Sequence, residues 1–380
     1  MSFAPQAYRD PTTVAGLAAT IARLAEQVGR PVRFMHVCGT HEHEIGRYAL
    51  RDLLPASVSV LPGPGCPVCV CDATFIDAAI RLALDEGALV TSFGDLLGVP
   101  GSLPTPSGGA RRMRLLDARA AGADVRPVLG VFDAIRLAKE RPRRTVVFLS
   151  AGFETTVAAV AAVVSRGLPD NLSVIEANYY TPPATDLLTR LPGFSLDGFL
   201  LPGHACVMSG LEPYAHLPQR GLACAVAGFE PVDVLSGLVS LLEQVRDGQP
   251  RLVNAYPRLV RPAGNERARA ELERVFLLAP RVWRGIGVVE SSGFDLRPEY
   301  RSASAAERWP EAFQLSLNAH PAGCRCGDVT LGLIEPSACP LFGGLCTLDE
   351  PYGPCMVSRE GTCRASALYG PSRGAIHVQV

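Results

Sequence analysis

Six of the chain's 12 cysteines fall in its last 57 residues, as Cys324, Cys326, Cys339, Cys346, Cys355 and Cys363. Their spacing is one CxC followed by long gaps, whereas zinc ribbons and fingers usually place their ligands as two CxxC-like knuckles. Six thiols are also two more than a tetrahedral zinc or one cubane cluster takes. The expectation is a [4Fe–4S] cluster with two spare cysteines, and a structural zinc site is the alternative. Glycines and prolines between the cysteines suit a backbone wrapped closely about inorganic sulfide.

A second concentration lies near the N-terminus, with Cys38 in HVCGTHEHE and Cys66, Cys69 and Cys71 in GPGCPVCVC. Both stretches follow predicted strands, at the edge where open α/β sheets place their ligands. CPVC is a CxxC pair that can bind a soft metal or cycle between dithiol and disulfide. Joined to Cys-Gly-Thr-His-Glu at a strand-to-helix turn, it describes a site where thiolate, imidazole and carboxylate meet, with His41 and Glu42 as the other two groups. The competing reading is that Gly39 makes the turn while His41 and Glu42 begin a solvated helix. Cys206 and Cys224 stand alone in apolar surroundings and read as small buried residues.

Three further polar groups fall at predicted strand ends: Asp95 in SFGD, Glu154 in GFETT and His204 in LPGH. On that edge they could line a cleft between lobes. Thr155 or Thr156 suits a helix cap. No GxxxxGK[ST] loop occurs, so any nucleotide turnover would belong to another kind of site or to a complex with a partner.

Eight short apolar runs have to position these groups: Val32–Val37, Val58–Leu61, Ala88–Phe93, Val125–Leu129, Thr145–Leu149, Ser173–Ile175, Gly198–Leu201 and Leu222–Val226. Alternating with amphipathic patterns, they predict βα units on mainly parallel sheets. The clearest helix is Val232–Val245, with Pro231 in its first turn and Gly248 as its stop. A strand ending in MHV before CGTHE and a strand with FLS before GFETT suggest two α/β lobes, 31–140 and 141–255, bridged at Arg141–Arg144. Pro100–Gly109 reads as a loop inside the first lobe. Beyond Arg281 the alternation stops, so the cysteine-rich tail (320–365) needs some organiser other than a conventional core. The helix Thr12–Val28 has no strand before it; 1–30 and 256–380 are grouped as the third, cysteine-bearing part.

Hydrophobic residues at 48%, charged residues at 19% and a net charge of -1 describe a packed globular chain. They argue against a nucleic-acid or membrane-surface binder, both of which need a basic field. No signal-like or bilayer-long apolar run is present, so a cytoplasmic location is expected, where thiols stay reduced and serve as ligands or redox groups.

Taken together, CGTHE at Cys38–Glu42, GPGCPVC at Gly63–Cys69, SFGD at Ser92–Asp95 followed by VPGS, GFETT at Gly152–Thr156, LPGH at Leu201–His204, GFEP at Gly228–Pro231 and GPCMVSREGTC at Gly353–Cys363 resemble the HypD family of hydrogenase maturation proteins. Val157 and Leu348 depart from the family's usual residues, beside motifs and not on candidate ligands. The resemblance implies two α/β domains and a third that holds a [4Fe–4S] cluster. It also implies a HypC-type chaperone and a HypE-type cyanide-transfer protein as partners, with a monomer in isolation. In that picture Cys38 binds the Fe(II) being built into Fe(CN)2(CO), Cys66 and Cys69 form a nearby redox or ligand pair, and the cluster supplies electrons. His41 or Glu42 would donate to a cyanide nitrogen or move a proton. A helix start behind Cys38 would lower its thiol pKa.

The family's cluster environment resembles that of ferredoxin:thioredoxin reductase. On that analogy Cys324, Cys339, Cys346 and Cys363 are the cluster ligands and Cys326 with Cys355 a redox pair, an extended CxC sending Cys324 and Cys326 to opposite sides. An iron–sulfur thiol–disulfide reductase and a zinc-stabilised binding module are the rival functions.

Overall fold

A computed structural model describes residues 5–106, 108, 111–191, 193–314 and 321–370. All eight apolar runs are strands: β1 Val32–His36, β2 Val58–Pro62, β3 Leu89–Ser92, β4 Val125–Pro127, β5 Val146–Gly152, β6 Leu172–Asn178, β7 Gly198–Pro202 and β8 Ala223–Ala227. Three more were not expected: β9 Leu252–Asn254, β10 Phe276–Trp283 and β11 Gly287–Leu296. Their β-branched runs are short or interrupted by polar residues. The β10–β11 hairpin straddles Arg281, beyond which strand–helix alternation was expected to stop.

The strands form two parallel sheets, in the orders β2-β1-β7-β8-β9 and β4-β3-β5-β6. Helices and loops cover both faces, which is why β5, β6, β7 and β8 are buried along their whole length and read as continuous apolar runs.

This pairing corrects the division at 140/141. The chain builds β1 and β2, leaves to build the whole second sheet, and returns to the first at Gly198. Lobes taken as consecutive halves miss such an insertion, because apolar runs identify strands but not their neighbours. Arg141–Arg144 is therefore the turn between the helix Val131–Glu140 and β5, inside the second sheet. The crossover that does leave the first sheet carries GPGCPVC.

The first helix is Pro11–Val28, with Asp10 accepting from the Thr13 amide at 2.8 Å and Gly29 closing it at φ 70°. It belongs to the first sheet and not to the cysteine-bearing part. Ile21, Leu24 and Ala25 pack in one core with Val32 and Phe34 of β1 and with Val234, Leu235 and Leu238 of the helix Pro231–Asp247. Burial of each large aliphatic side chain there contributes roughly 1.5–3 kcal/mol.

The tail also differs from expectation. Cys326, Cys339, Cys346, Cys355 and Cys363 share one apolar core with Val147, Leu149, Ile175 and Ala177 of the second sheet. A conventional core therefore does reach the tail.

Candidate metal and thiol centre

Each sheet has one place where consecutive strands depart in opposite directions, and ligands of open α/β sheets bind outside the carboxyl ends at such points. In the first sheet β1 lies between β2 and β7; in the second, β3 lies between β4 and β5. Cys38 follows β1 and Asp95 follows β3, while His204 follows β7 and Glu154 follows β5. The four polar groups named from strand ends thus flank the two crevices.

Cys38 is 8% exposed and stands just before the helix Gly39–Arg47. Gly65 makes this turn possible: the Gly39 amide donates to the Gly65 carbonyl at 2.7 Å, and a Cβ on Gly65 would fall 2.1 Å from the Cys38 nitrogen. Only a glycine permits the two strand-end loops to touch there. Burial, with the Glu360 charge behind it, pushes the Cys38 thiol up to about 12; the amides of His41 and Thr40 and the Thr40 hydroxyl pull the other way and lose. The expectation of a depressed thiol is overturned because desolvation exceeds the helix-start effect.

His41 and Glu42 do not begin a solvated helix. Glu42 accepts from His36 Nε2 at 2.7 Å and from Arg51 Nη2 at 2.5 Å. Burial works to raise its pKa, but Arg51 and His36 outweigh it and hold the carboxyl near 2. Glu42 therefore fastens the helix to β1 and carries no proton to move. His41 Nε2 donates to the Gly228 carbonyl at 2.8 Å, and burial, helped by His36, pushes its pKa down to about 3. That neutral ring spends its N–H on Gly228 and keeps a buried, unpartnered lone pair at Nδ1. It has no N–H to offer a cyanide nitrogen. His41 tilts against Phe229 at 4.7 Å, and the exposed His204 stacks on the same ring at 3.8 Å.

The tail supplies groups that sequence reasoning missed. Glu360 accepts from Thr40 Oγ1 at 2.7 Å, and Ser358 Oγ donates to Asp95 at 3.3 Å. The segment Ser358–Glu360 thus spans the ends of β1 and β3. Its position between Cys355 and Cys363 in the tail motif was the available signal. Glu154 lies apart from this contact, with Oε1 accepting from the Thr181 amide and hydroxyl at 3.0 and 2.8 Å. Burial raises its pKa, and it borders a cleft with Tyr180, Ser209 and Arg269.

Cys66 and Cys69 are joined as a disulfide at the start of the short helix Pro67–Val70. In the tail, Cys326 hydrogen-bonds to Cys324 and holds that thiol below the usual range, while Cys363 pairs with Cys355 and is pushed up. The sulfurs of the CxC therefore meet and do not diverge: Arg325, at φ -108° and ψ 28°, turns the chain out of the extended conformation. The charge of Cys355 acts to raise Cys326, and those of Cys324 and Cys339 act to raise Cys346. Cys206 and Cys224 are fully buried in the apolar core beside β7 and β8.

The donor set fits a thiolate-bound iron–sulfur group: six thiols gather in one largely buried region, and Gly353 forms a cradle in which a Cβ would fall 2.6 Å from the Cys324 sulfur. Among the described residues, no three His, Cys, Asp or Glu side chains are already grouped to hold a single metal ion. No helix among them is long and apolar enough to cross a membrane.

Two parallel sheets with a cysteine-rich tail packed on them, its segment Ser358–Glu360 bridging the ends of β1 and β3, define an α/β protein rich in buried thiols. The family model described as "HypD: Hydrogenase formation hypA family" matches residues 12–370, and the chain belongs to this family. It is 41% identical over 378 residues to the hydrogenase maturation factor HypD of Rhizobium leguminosarum bv. viciae, covering 96% of this chain and 95% of that one. Similar proteins of the same name occur in Rhodobacter capsulatus, 38% identical with 99% and 100% covered, and in Cupriavidus necator, 38% identical with 96% of each covered.

Proposed function

We propose that this chain is a hydrogenase maturation factor, a scaffold that holds iron at Cys38 while the Fe(CN)2(CO) group of a [NiFe]-hydrogenase is assembled. The observation that supports this best is the tail segment Ser358–Glu360 lying over the ends of β1 and β3. It sets an isolated thiol, Cys38, apart from the tail thiols yet under the same segment of chain.

The incoming Fe(II) is the substrate. Cys38 is protonated when bare, so its proton must leave as the iron arrives, and binding is coupled to deprotonation. Low-spin iron carrying cyanide and carbonyl is soft and suits the thiolate. The Gly39–Gly65 contact fixes the Cys38 backbone, and the Glu42–Arg51 pair fixes the helix behind it. His41 acts here as a positioning residue that ties this helix to the Gly228 loop.

Cys324, Cys339, Cys346 and Cys363 would hold a [4Fe–4S] cluster, whose chemistry when bound is one-electron exchange. Cys326 and Cys355 remain as a dithiol within electrostatic reach of one another, and Cys66 with Cys69 as a second pair on the crossover between sheets. A HypC-type chaperone would share the iron, and a HypE-type protein would bring the cyanide.

The test is infrared spectroscopy of the chain co-purified anaerobically with the two partners. Nitrile and carbonyl stretches are expected. The Cys66–Cys69 disulfide favours a second reading, an iron–sulfur thiol–disulfide reductase, which predicts iron and acid-labile sulfide but no such bands. Zinc in place of iron and sulfide would sink both.

A further inference from the structure

The β10–β11 hairpin enters its turn through two buried residues, Trp283 and Arg284, although Gly285 and Gly287 at the tip are exposed, and a buried arginine in a turn is unusual. Trp283 packs edge-on against Tyr179 at 5.1 Å, and the next residue, Arg284, is 1% exposed. The Arg284 amide donates to the Val70 carbonyl at 2.8 Å, at the end of the CPVC helix. On the opposite side, Gly327 of the CxC helix meets the hairpin so closely that a Cβ there would fall 2.8 Å from Gly285 Cα. Arg284 is thus wedged between the CPVC segment and the CxC segment.

Its guanidinium is poorly satisfied. Nη1 donates to the Pro100 carbonyl at 2.8 Å, but Nε and Nη2 are buried with no partner among the described residues. A buried cation with idle donors is strongly unfavourable unless an anion stands nearby. Its charge pulls downward alike on Cys324 and Cys326 of the tail and on Cys71 and Asp72 after the CPVC helix. Asp72 is engaged instead by the Thr74 amide.

We infer that Arg284 is the internal counter-ion of the tail's iron–sulfur site, its free Nε–H and Nη2–H donors directed at cluster or cysteinyl sulfur. This rests on the iron–sulfur reading proposed above. Arginine stays charged even when buried and offers its donors in a rigid fork, which lysine cannot reproduce. Each reduction adds one negative charge to the cluster and none to Arg284, so the cation favours the reduced form. Hydrogen bonds to the sulfurs act in the same direction.

The full-length chain, purified anaerobically with arginine carrying 15N only in the guanidinium and reduced, should show 15N hyperfine coupling to the cluster spin in pulsed electron paramagnetic resonance. Arg284→Lys should abolish the coupling. Arg284→Met should lower the midpoint potential by about 59 mV, the equivalent of a tenfold change in a one-electron equilibrium. A wild-type cluster without 15N coupling, or a loaded Arg284→Met protein with unchanged potential, overturns the inference while leaving the cluster reading intact. Should the variants fail to fold or load, the wild-type coupling decides by itself. Wild-type protein free of iron and sulfide overturns both.

Discussion

Thr40 donates a 2.7 Å hydrogen bond to Glu360, joining the turn behind Cys38 to a tail residue 320 positions later. Burial raises the Glu360 pKa, and this carboxyl in turn helps to raise the Cys38 thiol.

Replacing Glu360 by Gln keeps an oxygen for Thr40 and removes the charge. Cys38 in the metal-free chain should then be alkylated a few-fold faster at constant pH, as expected when a like charge is withdrawn. Mass-mapped alkylation over a pH series reads this directly. An unchanged profile would mean that the Glu360 charge does not reach the thiol.

Gly65→Ala tests the contact between the two strand-end loops. The added methyl would lie 2.1 Å from the Cys38 nitrogen, and since the obstacle is backbone it cannot simply rotate away. A loss of about 2 kcal/mol or more in denaturant unfolding is expected. Gly94→Ala, which meets nothing within 4 Å, is the control and should stay within about 0.5 kcal/mol. Equal effects would show that the Gly39–Gly65 contact is dispensable.

Glu42 makes stability pH-dependent with a definite sign. Its folded pKa, near 2, is depressed below the ordinary 4.5. The stabilisation is therefore complete above about pH 4.5 and is lost as the pH falls towards 2. Glu42→Gln should flatten that limb and, by leaving the largely buried Arg51 unpaired, should cost about 2–4 kcal/mol at neutral pH. Urea midpoints from pH 2 to 7 check both points, and a parallel acid limb in the variant would remove Glu42 as its source.

What was legible in the sequence had short range. The apolar runs announced β1 to β8, and Pro231 with Gly248 bounded their helix, because the bonds concerned are local. Strand-end placement also set Cys38, Asp95, Glu154 and His204 after β1, β3, β5 and β7, but not the single cleft expected for the last three, since Glu154 turns to Thr181 and borders a cleft of its own. The roles of His41 and Glu42 were not legible, since their partners Gly228 and Arg51 are set by packing. Nor was the return of the chain to the first sheet at Gly198, because β7 and β8 look no different in composition from strands of the second sheet. The CxC was misread because one residue, Arg325, turns where an extended strand was assumed.

Cys38→Ser is the decisive variant for the scaffold function. Cys38 makes no side-chain cap to its helix, and its turn is held by the backbone bond from Gly39 to Gly65, so a serine of nearly equal size should leave the fold unchanged. The tail thiols lie in a different core, packed on the second sheet, and their contents of iron and sulfide should equal those of the wild type. A serine hydroxyl is a far harder and less acidic ligand than a thiol and should not retain a soft iron. The variant, co-expressed with both partners, should therefore keep its cluster absorption and its urea midpoint within about 0.5 kcal/mol, yet show no nitrile or carbonyl bands. Bands of wild-type intensity in the serine variant would place the iron elsewhere, whereas their loss together with iron and sulfide would make Cys38 a structural residue and not the assembly ligand.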